Sequence, residues 1–213
     1  TDYWHSWRAT GNALEGIASR HNDALLPLDE LREVDPREAG MIAYMLANGQ
    51  GKGRARTDGE VRNRRHWTLL LFSTGELSLA EHTECAGERL YAGMDVRMVQ
   101  IPSDTGQHGS FEQLHGFASG QQFADTLCDR VARFHGTAFR AWLAFLTSDL
   151  DASTTLAREL LRRYQTALMP DNAGNQVQRI VARFALLAVA GEIATLNGIT
   201  GWQEGSAYGA VQI

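Results

Sequence analysis

Lysine is nearly absent from this sequence: of the 20 basic residues in 213, only Lys52 is a lysine. A phosphate-binding loop of the form G-x-x-x-x-G-K-[ST] needs a lysine followed by serine or threonine, because that lysine reaches the β- and γ-phosphates. Lys52 is followed by Gly53, and Leu46 stands where the first glycine of the motif would fall. These 213 residues therefore contain no P-loop.

Cysteine and metal-binding motifs are also scarce. The two cysteines, Cys85 and Cys128, have no C-x-x-C partner, which favours buried thiols in a reducing, cytoplasmic compartment over a disulfide. The seven histidines form no H-E-x-x-H motif, so any metal is expected to arrive with a nucleotide. No apolar run reaches the roughly 18 residues that cross a bilayer, so no membrane segment is predicted.

The first half of the chain alternates apolar runs with helical patterns. Strands are predicted at 24–28, 67–72 and 96–101, and helices at 10–21, 35–48 and 79–90. Asn12 and Glu15 suggest a capping box for the first helix, and Asp35 followed by Pro36 is a strong start for the second. Strands that alternate with helices predict an α/β fold with a parallel sheet.

The second half has a different pattern. Residues 103–120 are rich in Gly, Ser, His and Gln and predict a connecting loop, after which the apolar spacing is helical only. Helices are predicted at 153–168 and 176–196, the latter with Val177, Ile180, Val181, Phe184 and Leu187 facing inward. The predicted organisation is an α/β part at 1–102, the loop, and an all-helical part at 121–213.

Positive charge is concentrated in one segment, residues 52–65, which we call the basic ribbon. It has a net charge of +4 in a chain of net charge −5, and its basic residues are Lys52, Arg54, Arg56, Arg62, Arg64 and Arg65. Asp58-Gly59 predicts a two-residue hairpin turn, which would place positions 52, 54 and 56 on one face and positions 62 and 64 on the other. Such a hairpin suits contacts with nucleic-acid phosphates; the alternative is a solvated charged loop that resists aggregation.

Polar residues follow two of the predicted strands. Asp29-Glu30 ends the first, and in nucleotide hydrolases one such acid holds Mg²⁺ while the next orients the attacking water. Ser73-Thr74 ends the second and could sense a γ-phosphate or position the water. The alternative is that these are ordinary polar residues where strands meet solvent. Pro27 is unexpected here, because proline is disfavoured within a central strand.

Together these stretches resemble the ATPase domain of Cch-like helicases from mobile genetic elements. That family was long catalogued as a domain of unknown function and is related to minichromosome-maintenance AAA+ helicases. The resemblance covers most of the chain and is carried by WRAT at 7–10 with Asn12, Leu14 and Glu15, HND at 21–23, LDE at 28–30, DPREAG at 35–40, YMLANGQGKGR at 44–54, STGE at 73–76, VR at 96–97, LHGF at 114–117, RFAL at 183–186 and GE at 191–192.

The resemblance implies an incomplete P-loop-NTPase-like (AAA+) parallel sheet with flanking helices, followed by an all-helical lid. Asp29 and Glu30 would be the Walker B acids, with Asp29 on Mg²⁺ and Glu30 as the catalytic carboxylate. Ser73 and Thr74 would form the first sensor, and the basic ribbon would be a pore hairpin that grips DNA.

Four arginines receive roles from the same resemblance. Arg97 resembles the arginine finger that reaches a neighbouring subunit's nucleotide, with Arg89 as a second candidate, and either Arg179 or Arg183 would be the second sensor. The alternative for each is a surface ion pair, which contributes little to stability.

Members of the family carry their P-loop upstream of the stretch that matches residues 1–7. We therefore expect the chain to be the C-terminal portion of a hexameric, ATP-driven DNA helicase or translocase that acts on single-stranded or forked DNA. ATP and Mg²⁺ would bind the intact protein, and neither is expected to bind this portion tightly, because it lacks the phosphate cradle. The alternatives are a non-enzymatic nucleic-acid-binding or interaction module and, more remotely, an unrelated hydrolase using Asp29, Glu30 and a nearby histidine.

Overall fold

The computed structural model describes residues 3–55, 61–89 and 92–212. The chain divides into two compact units, Thr1–Gln100 and Ile101–Ile213. The first contains a parallel sheet with flanking helices and the second is helical, so the predicted fold class is confirmed.

The sheet of the first unit has three parallel strands in the order β1-β2-β5. They are β1 (His5–Ser6), β2 (Ala24–Asp29) and β5 (Leu69–Ser73). Strand β1 was not predicted, because two residues are too short to show an alternating pattern. The strand predicted at 96–101 was wrong: helix α4 (Ala92–Asp95) is continued by a turn in which Arg97 N donates to Met94 O. Burial of Val96 in that turn produces the apolar spacing that suggested a strand.

The helices of the first unit that pack beside the sheet are α1 (Gly11–Arg20), α2 (Pro36–Asn48) and α3 (Leu79–Glu84). Helix α2 begins and ends as predicted: Asp35 caps it through the Arg37 N–H, and Gly49 terminates it at a φ of 69°. Helix α3 is shorter than predicted. The capping box predicted from Asn12 and Glu15 was wrong, because Thr10 caps α1 by accepting from Ala13 N.

The core of the first unit lies between the sheet and helices α1 and α2. Its buried side chains include two tryptophans and six leucines or isoleucines from the strands and helices: Trp7, Trp67, Leu14, Leu26, Leu28, Leu31, Ile42 and Leu46. Burying such side chains contributes about 1.5–3 kcal/mol each. The core therefore fixes the ends of the strands on which the polar residues lie.

Pro27 is tolerated in β2 because of where β1 begins. The carbonyl of Asp29 accepts a hydrogen bond from Trp7 N, so the backbone of Asp29 faces β1. Strand residues two apart face the same side, so Pro27 also faces β1. Strand β1 starts only at His5, which pairs with Leu28. The missing N–H of proline therefore removes no hydrogen bond from the ladder.

The second unit consists of α5 (Gly120–Arg133), α6 (Thr137–Ser148), α7 (Leu150–Leu168), α8 (Asn175–Leu196) and α9 (Ser206–Gly209). Helix α8 packs against α7 and α9 through small and branched residues, Val181, Ala185, Ala188, Val189 and Ile193. Val177 and Leu187 were predicted to face inward and are 39% and 43% exposed, so that part of the prediction was wrong. Ala185 and Ala188 are fully buried here, and a search for large apolar residues misses them.

Two further predictions were that the chain has no membrane-spanning segment and that its cysteines are buried. In the described part of the chain, no helix combines the length and apolar character needed to traverse a bilayer. Cys85 and Cys128 are both free and exposed, so the prediction of buried thiols was wrong. Cys85 is the C-cap residue of α3 and donates its thiol to Glu81 O, and Cys128 lies on α5, which has no buried residue.

Candidate functional site

The carboxyl ends of the parallel strands lie at one edge of the sheet, which we call the carboxyl edge. The register pairs Ser6 with Asp29 and Leu28 with Ser73, so the strands end nearly level. Glu30 and Thr74 follow β2 and β5 directly. The structure therefore brings together the two polar pairs that the sequence placed about 45 residues apart.

Thr74 connects the two strand ends. Its hydroxyl donates to Asp29 Oδ1 and accepts from Glu30 N at 3.2 Å. Its backbone N–H donates to Leu28 O at 3.1 Å, and its carbonyl accepts from Leu31 N at 2.9 Å. The residue that follows β5 thus orients the carboxylate of Asp29 and holds the backbone on both sides of it.

Glu30 has a left-handed backbone, with φ 56° and ψ 79°. This conformation costs a non-glycine residue about 1–2 kcal/mol and persists where surrounding contacts impose it. The hydrogen bonds that Glu30 N and Leu31 N donate to Thr74 are those contacts. The Glu30 carboxylate accepts from Arg32 N at 3.2 Å and so caps the short 3₁₀ helix Leu31–Glu33.

Trp7 contacts the carboxyl edge from the core of the first unit. It was not predicted as a site residue. It is fully buried, and its indole N–H donates to Ser73 Oγ at 2.9 Å, so it reaches from the end of β1 across β2 to β5. The only sequence signal for it was its place in the stretch that carried the family resemblance. A buried indole needs a hydrogen-bond partner, and Ser73 supplies one.

The donor set at this edge suits a magnesium ion that is carried by a nucleotide. Mg²⁺ in nucleotide enzymes takes one or two carboxylates and completes its shell with phosphate oxygens and water. Asp29 is exposed at the edge and offers such a carboxylate. Among the residues that the structure describes, no group of three or more His, Cys, Asp or Glu side chains could form a metal cage. Asp29 fits a shared ion rather than a protein-enclosed one.

The basic ribbon forms an antiparallel pair, β3 (Arg54–Ala55) and β4 (Val61–Arg62). The register pairs Arg54 with Arg62, whereas the predicted two-residue turn would pair Arg54 with Asn63. The predicted division of the basic residues between two faces was therefore wrong, since five residues separate the paired positions 55 and 61. The predicted Asp58-Gly59 turn and Arg56 lie outside the described residues, and only the backbone of Arg62 is described.

A buried carboxylate on α1 holds the ribbon. Glu15 is 1% exposed and accepts two hydrogen bonds from the Arg54 guanidinium, Nη1 to Oε1 at 2.9 Å and Nη2 to Oε2 at 2.7 Å. Arg54 Nη2 also donates to Asn12 Oδ1 at 2.7 Å. The two residues predicted to form a capping box therefore bind an arginine of the ribbon instead.

The same contacts shift the ionisation of Glu15. The hydrogen bonds from Arg54 lower the pKa of the Glu15 carboxyl below its ordinary value of 4.5, and the backbone N–H of Lys52 acts in the same direction. Burial opposes these effects without cancelling them. Glu15 is therefore a carboxylate at neutral pH.

The remaining basic residues have varied surroundings. Lys52, Arg64 and Arg65 are exposed on the ribbon. Arg97 donates from Nε to Asn48 Oδ1 at 3.2 Å and lies 4.6 Å from the ring centre of Tyr44, so it packs on α2 of its own chain. Arg89 is exposed in the first unit. Arg179 and Arg183 are exposed on α8 in the second unit.

Comparison with known proteins gives a family match over part of the chain. Residues 1–66 match the family model described as a domain of unknown function (DUF927). No curated protein matches the chain.

A solved structure extends the comparison to nearly the whole chain. It bears the description "SCCmec type IV Cch - active helicase" and aligns with 99% of this chain at a TM-score of 0.68 and 22% identity. The chain spans about one third (34%) of that protein's length. At this identity the likeness shows a shared fold, and the resemblance to a Cch-like helicase domain is confirmed at that level.

Replacing Trp7 with phenylalanine tests the support beneath the carboxyl edge. Trp7→Phe removes the indole donor to Ser73 and leaves a smaller ring in a packed core, so we expect the free energy of unfolding to fall by about 1–2 kcal/mol. Urea denaturation measures this loss. Trp202→Phe is the matched control, because Trp202 is 57% exposed and should change stability by less than about 0.5 kcal/mol. Equal effects of the two changes would contradict the role given to Trp7.

The pH dependence of stability tests the Glu15–Arg54 pair. Because the folded-state pKa of Glu15 is lowered, its stabilising contribution is present above about pH 4.5 and is lost as the pH falls through the folded-state value. Glu15→Gln should lower the free energy of unfolding at pH 7 by about 2 kcal/mol. Urea denaturation at descending pH should show this difference shrinking below about pH 4.5. A difference that stays constant to pH 3 would contradict the pair.

Proposed function

We propose that this chain is part of an ATP-driven DNA helicase or translocase, and that its carboxyl edge acts on a magnesium-bound nucleotide. The observation that carries the proposal is the hydrogen-bonded group of Asp29, Glu30 and Thr74 at the ends of two adjacent parallel strands. In open parallel sheets, ligands bind outside the carboxyl ends of the strands. The fold similarity to a structure described as an active helicase supports the same interpretation.

Each residue at the edge has a chemical task in this proposal. Asp29 holds Mg²⁺, which neutralises charge on the phosphates when it is bound. Glu30 orients the attacking water, and for this its carboxylate exchanges the bond with Arg32 N for one with water. Thr74 keeps the Asp29 carboxylate in place, and Ser73, held by Trp7, lies beside it as the other sensor residue.

The basic ribbon supplies the DNA contact in this proposal. Lys52, Arg64 and Arg65 are exposed and positive in an otherwise acidic chain, and Arg56 and Arg62 belong to the same segment. Cations of this kind neutralise backbone phosphates without regard to sequence, which suits a protein that moves along single-stranded or forked DNA.

Assembly into a ring would place arginines near a neighbouring subunit's nucleotide. Arg97 and Arg89 are the candidates for that finger, and Arg179 and Arg183 for the second sensor. For Arg97 the role requires release from Asn48 and Tyr44, whereas Arg89 is already exposed. The nucleotide cradle itself would come from a P-loop outside these 213 residues.

Salt dependence of DNA binding tests the ribbon. Lys52→Ala combined with Arg64→Ala should reduce the slope of log affinity against log salt concentration on single-stranded DNA by about 1.4, because each phosphate contact contributes about 0.7. Fluorescence anisotropy with a labelled oligonucleotide measures the slope. Arg37→Ala combined with Arg140→Ala removes the same charge from exposed positions elsewhere and should leave the slope nearly unchanged. Equal changes in both double variants would indicate only a general charge effect.

Single-turnover hydrolysis tests the acid pair. We expect no appreciable ATP hydrolysis by these 213 residues alone and measurable hydrolysis by a fusion that supplies a P-loop segment ahead of residue 1. In that fusion Glu30→Gln should lower the rate by about 100-fold or more, as for loss of a group that orients the nucleophile. Brisk, Glu30-dependent hydrolysis by the unfused chain would contradict the requirement for a P-loop. Absence of nucleotide binding in the fusion, with DNA binding intact, would favour a non-enzymatic nucleic-acid-binding module.

A further inference from the structure

We propose that Glu15 is a positioning residue that sets the orientation of the basic ribbon, and that Arg54 is its tether and makes no contact with DNA phosphate. The proposal deepens the proposed function and rests on it, because it assumes that the ribbon contacts nucleic acid. In this proposal Arg54 holds the ribbon in place, and the exposed basic residues of the ribbon contact the DNA phosphates.

The first argument is the burial of Glu15. Its side chain is 2% exposed, whereas the Arg54 side chain is 37% exposed. A carboxylate in such a position is costly unless it is paired and fully hydrogen-bonded. Both terminal nitrogens of the Arg54 guanidinium provide such bonds, one to each carboxylate oxygen. Since these donors come from one arm of the ribbon, hydrogen bonding to Glu15 fixes where that arm contacts α1.

The second argument is the lack of space around the carboxylate. A Cβ atom added at Gly51 would lie 2.4 Å from Glu15 Oε1, so only glycine lets the ribbon backbone approach this closely. The other arm is held at the same place. Gly51 N donates to Arg65 O at 2.9 Å, and Arg65 Nη1 would lie 3.0 Å from a Cβ at Gly16 of α1. Both arms of the ribbon therefore start from contacts with a single turn of α1.

The third argument is the charge that remains for a ligand. Three of the five N–H groups of the Arg54 guanidinium donate within the chain, two to Glu15 and one to Asn12, so its charge is already paired with a buried carboxylate. Arg54 pairs with Arg62 and Gln50 bridges to His66, so Lys52 and Arg64 occupy the facing positions between these pairs. Both are exposed. The ribbon therefore presents Lys52 and Arg64 in a fixed place, while Arg54 is already neutralised.

Glu15→Gln distinguishes a tether from a phosphate contact by the sign of its effect. If Arg54 is a tether, loss of the charge on Glu15 loosens the ribbon and weakens binding to single-stranded DNA by about tenfold. If Arg54 instead contacts phosphate, the same change frees its charge, and binding becomes tighter and more salt-dependent. Tighter binding with a steeper salt slope would overturn the proposal.

Arg54→Gln in the Glu15→Gln background provides a second measure. A tether that has already lost its partner contributes no phosphate contact, so the salt slope should stay unchanged. A fall in slope of about 0.7 would show an ion-paired phosphate contact and would also overturn the proposal.

Gly51→Ala tests positioning without changing any charge. The added methyl group displaces the Glu15 carboxylate, so amide hydrogen exchange of residues 51–54 should become at least severalfold faster and DNA binding weaker, as in Glu15→Gln. Gly53→Ala is the matched control for exchange, because its Cβ would meet only the flexible end of Arg64, at 3.0 Å. Circular dichroism verifies that each variant is folded.

The exchange measurement separates this proposal from the proposed function. Unchanged exchange in both Glu15→Gln and Gly51→Ala would overturn the positioning role whatever the DNA data show. If the unaltered chain binds no DNA at low salt, the proposed function fails together with the DNA part of this proposal. Faster exchange in the two variants would then still support the tether.

Discussion

The parallel pairing of β2 with β5 is the constraint on which the carboxyl edge depends. Five consecutive residue pairs, from Ala24 with Leu69 to Leu28 with Ser73, bring two distant segments into register. Because successive side chains alternate between the faces of a strand, a shift of one residue would exchange the buried and exposed sets. In β5, Leu69 and Leu71 pack against the core whereas Leu70 and Phe72 are about half exposed (51% and 50%), and this alternation excludes that shift. Thr74 can therefore reach both Asp29 and Glu30 only in this register.

A second constraint of the same kind governs the ribbon. A buried carboxylate must be paired, and Glu15 finds its partner on a segment almost 40 residues away (39 from Glu15 to Arg54). Local backbone preferences alone would leave a short two-stranded ribbon only marginally stable. The bidentate hydrogen bond between Glu15 and Arg54 and the close approach of Gly51 to Glu15 fix the position at which the ribbon contacts α1. Electrostatic pairing thus orients the part of the ribbon that the structure describes at Arg54.

Much of the fold could be predicted because its signals are local. The Asp35 cap, Pro36 and the terminating Gly49 define α2 within 15 residues, and the apolar runs that became β2 and β5 ended close to where the structure ends them. The failures have physical causes as well. Strand β1 is too short to carry a pattern, and Val96 is buried in a turn whose apolar spacing imitates a strand. Asn12 and Glu15 match a capping box, but Arg54 competes for them from outside the helix.

By itself, the sequence determined where β2, β5 and helix α2 lie, the concentration of positive charge at residues 52–65, and the polar pairs at the ends of two apolar runs. Each of these features depends only on residues that are close together in the sequence, so a short segment is enough to recognise it. Only the tertiary structure decided that Thr74 binds Asp29, that Trp7 reaches Ser73, and that Arg54 is bound to Glu15. Each of these contacts joins residues 39 to 66 positions apart. Their geometry follows from strand register and from the need to pair buried polar groups, and neither is written in local spacing.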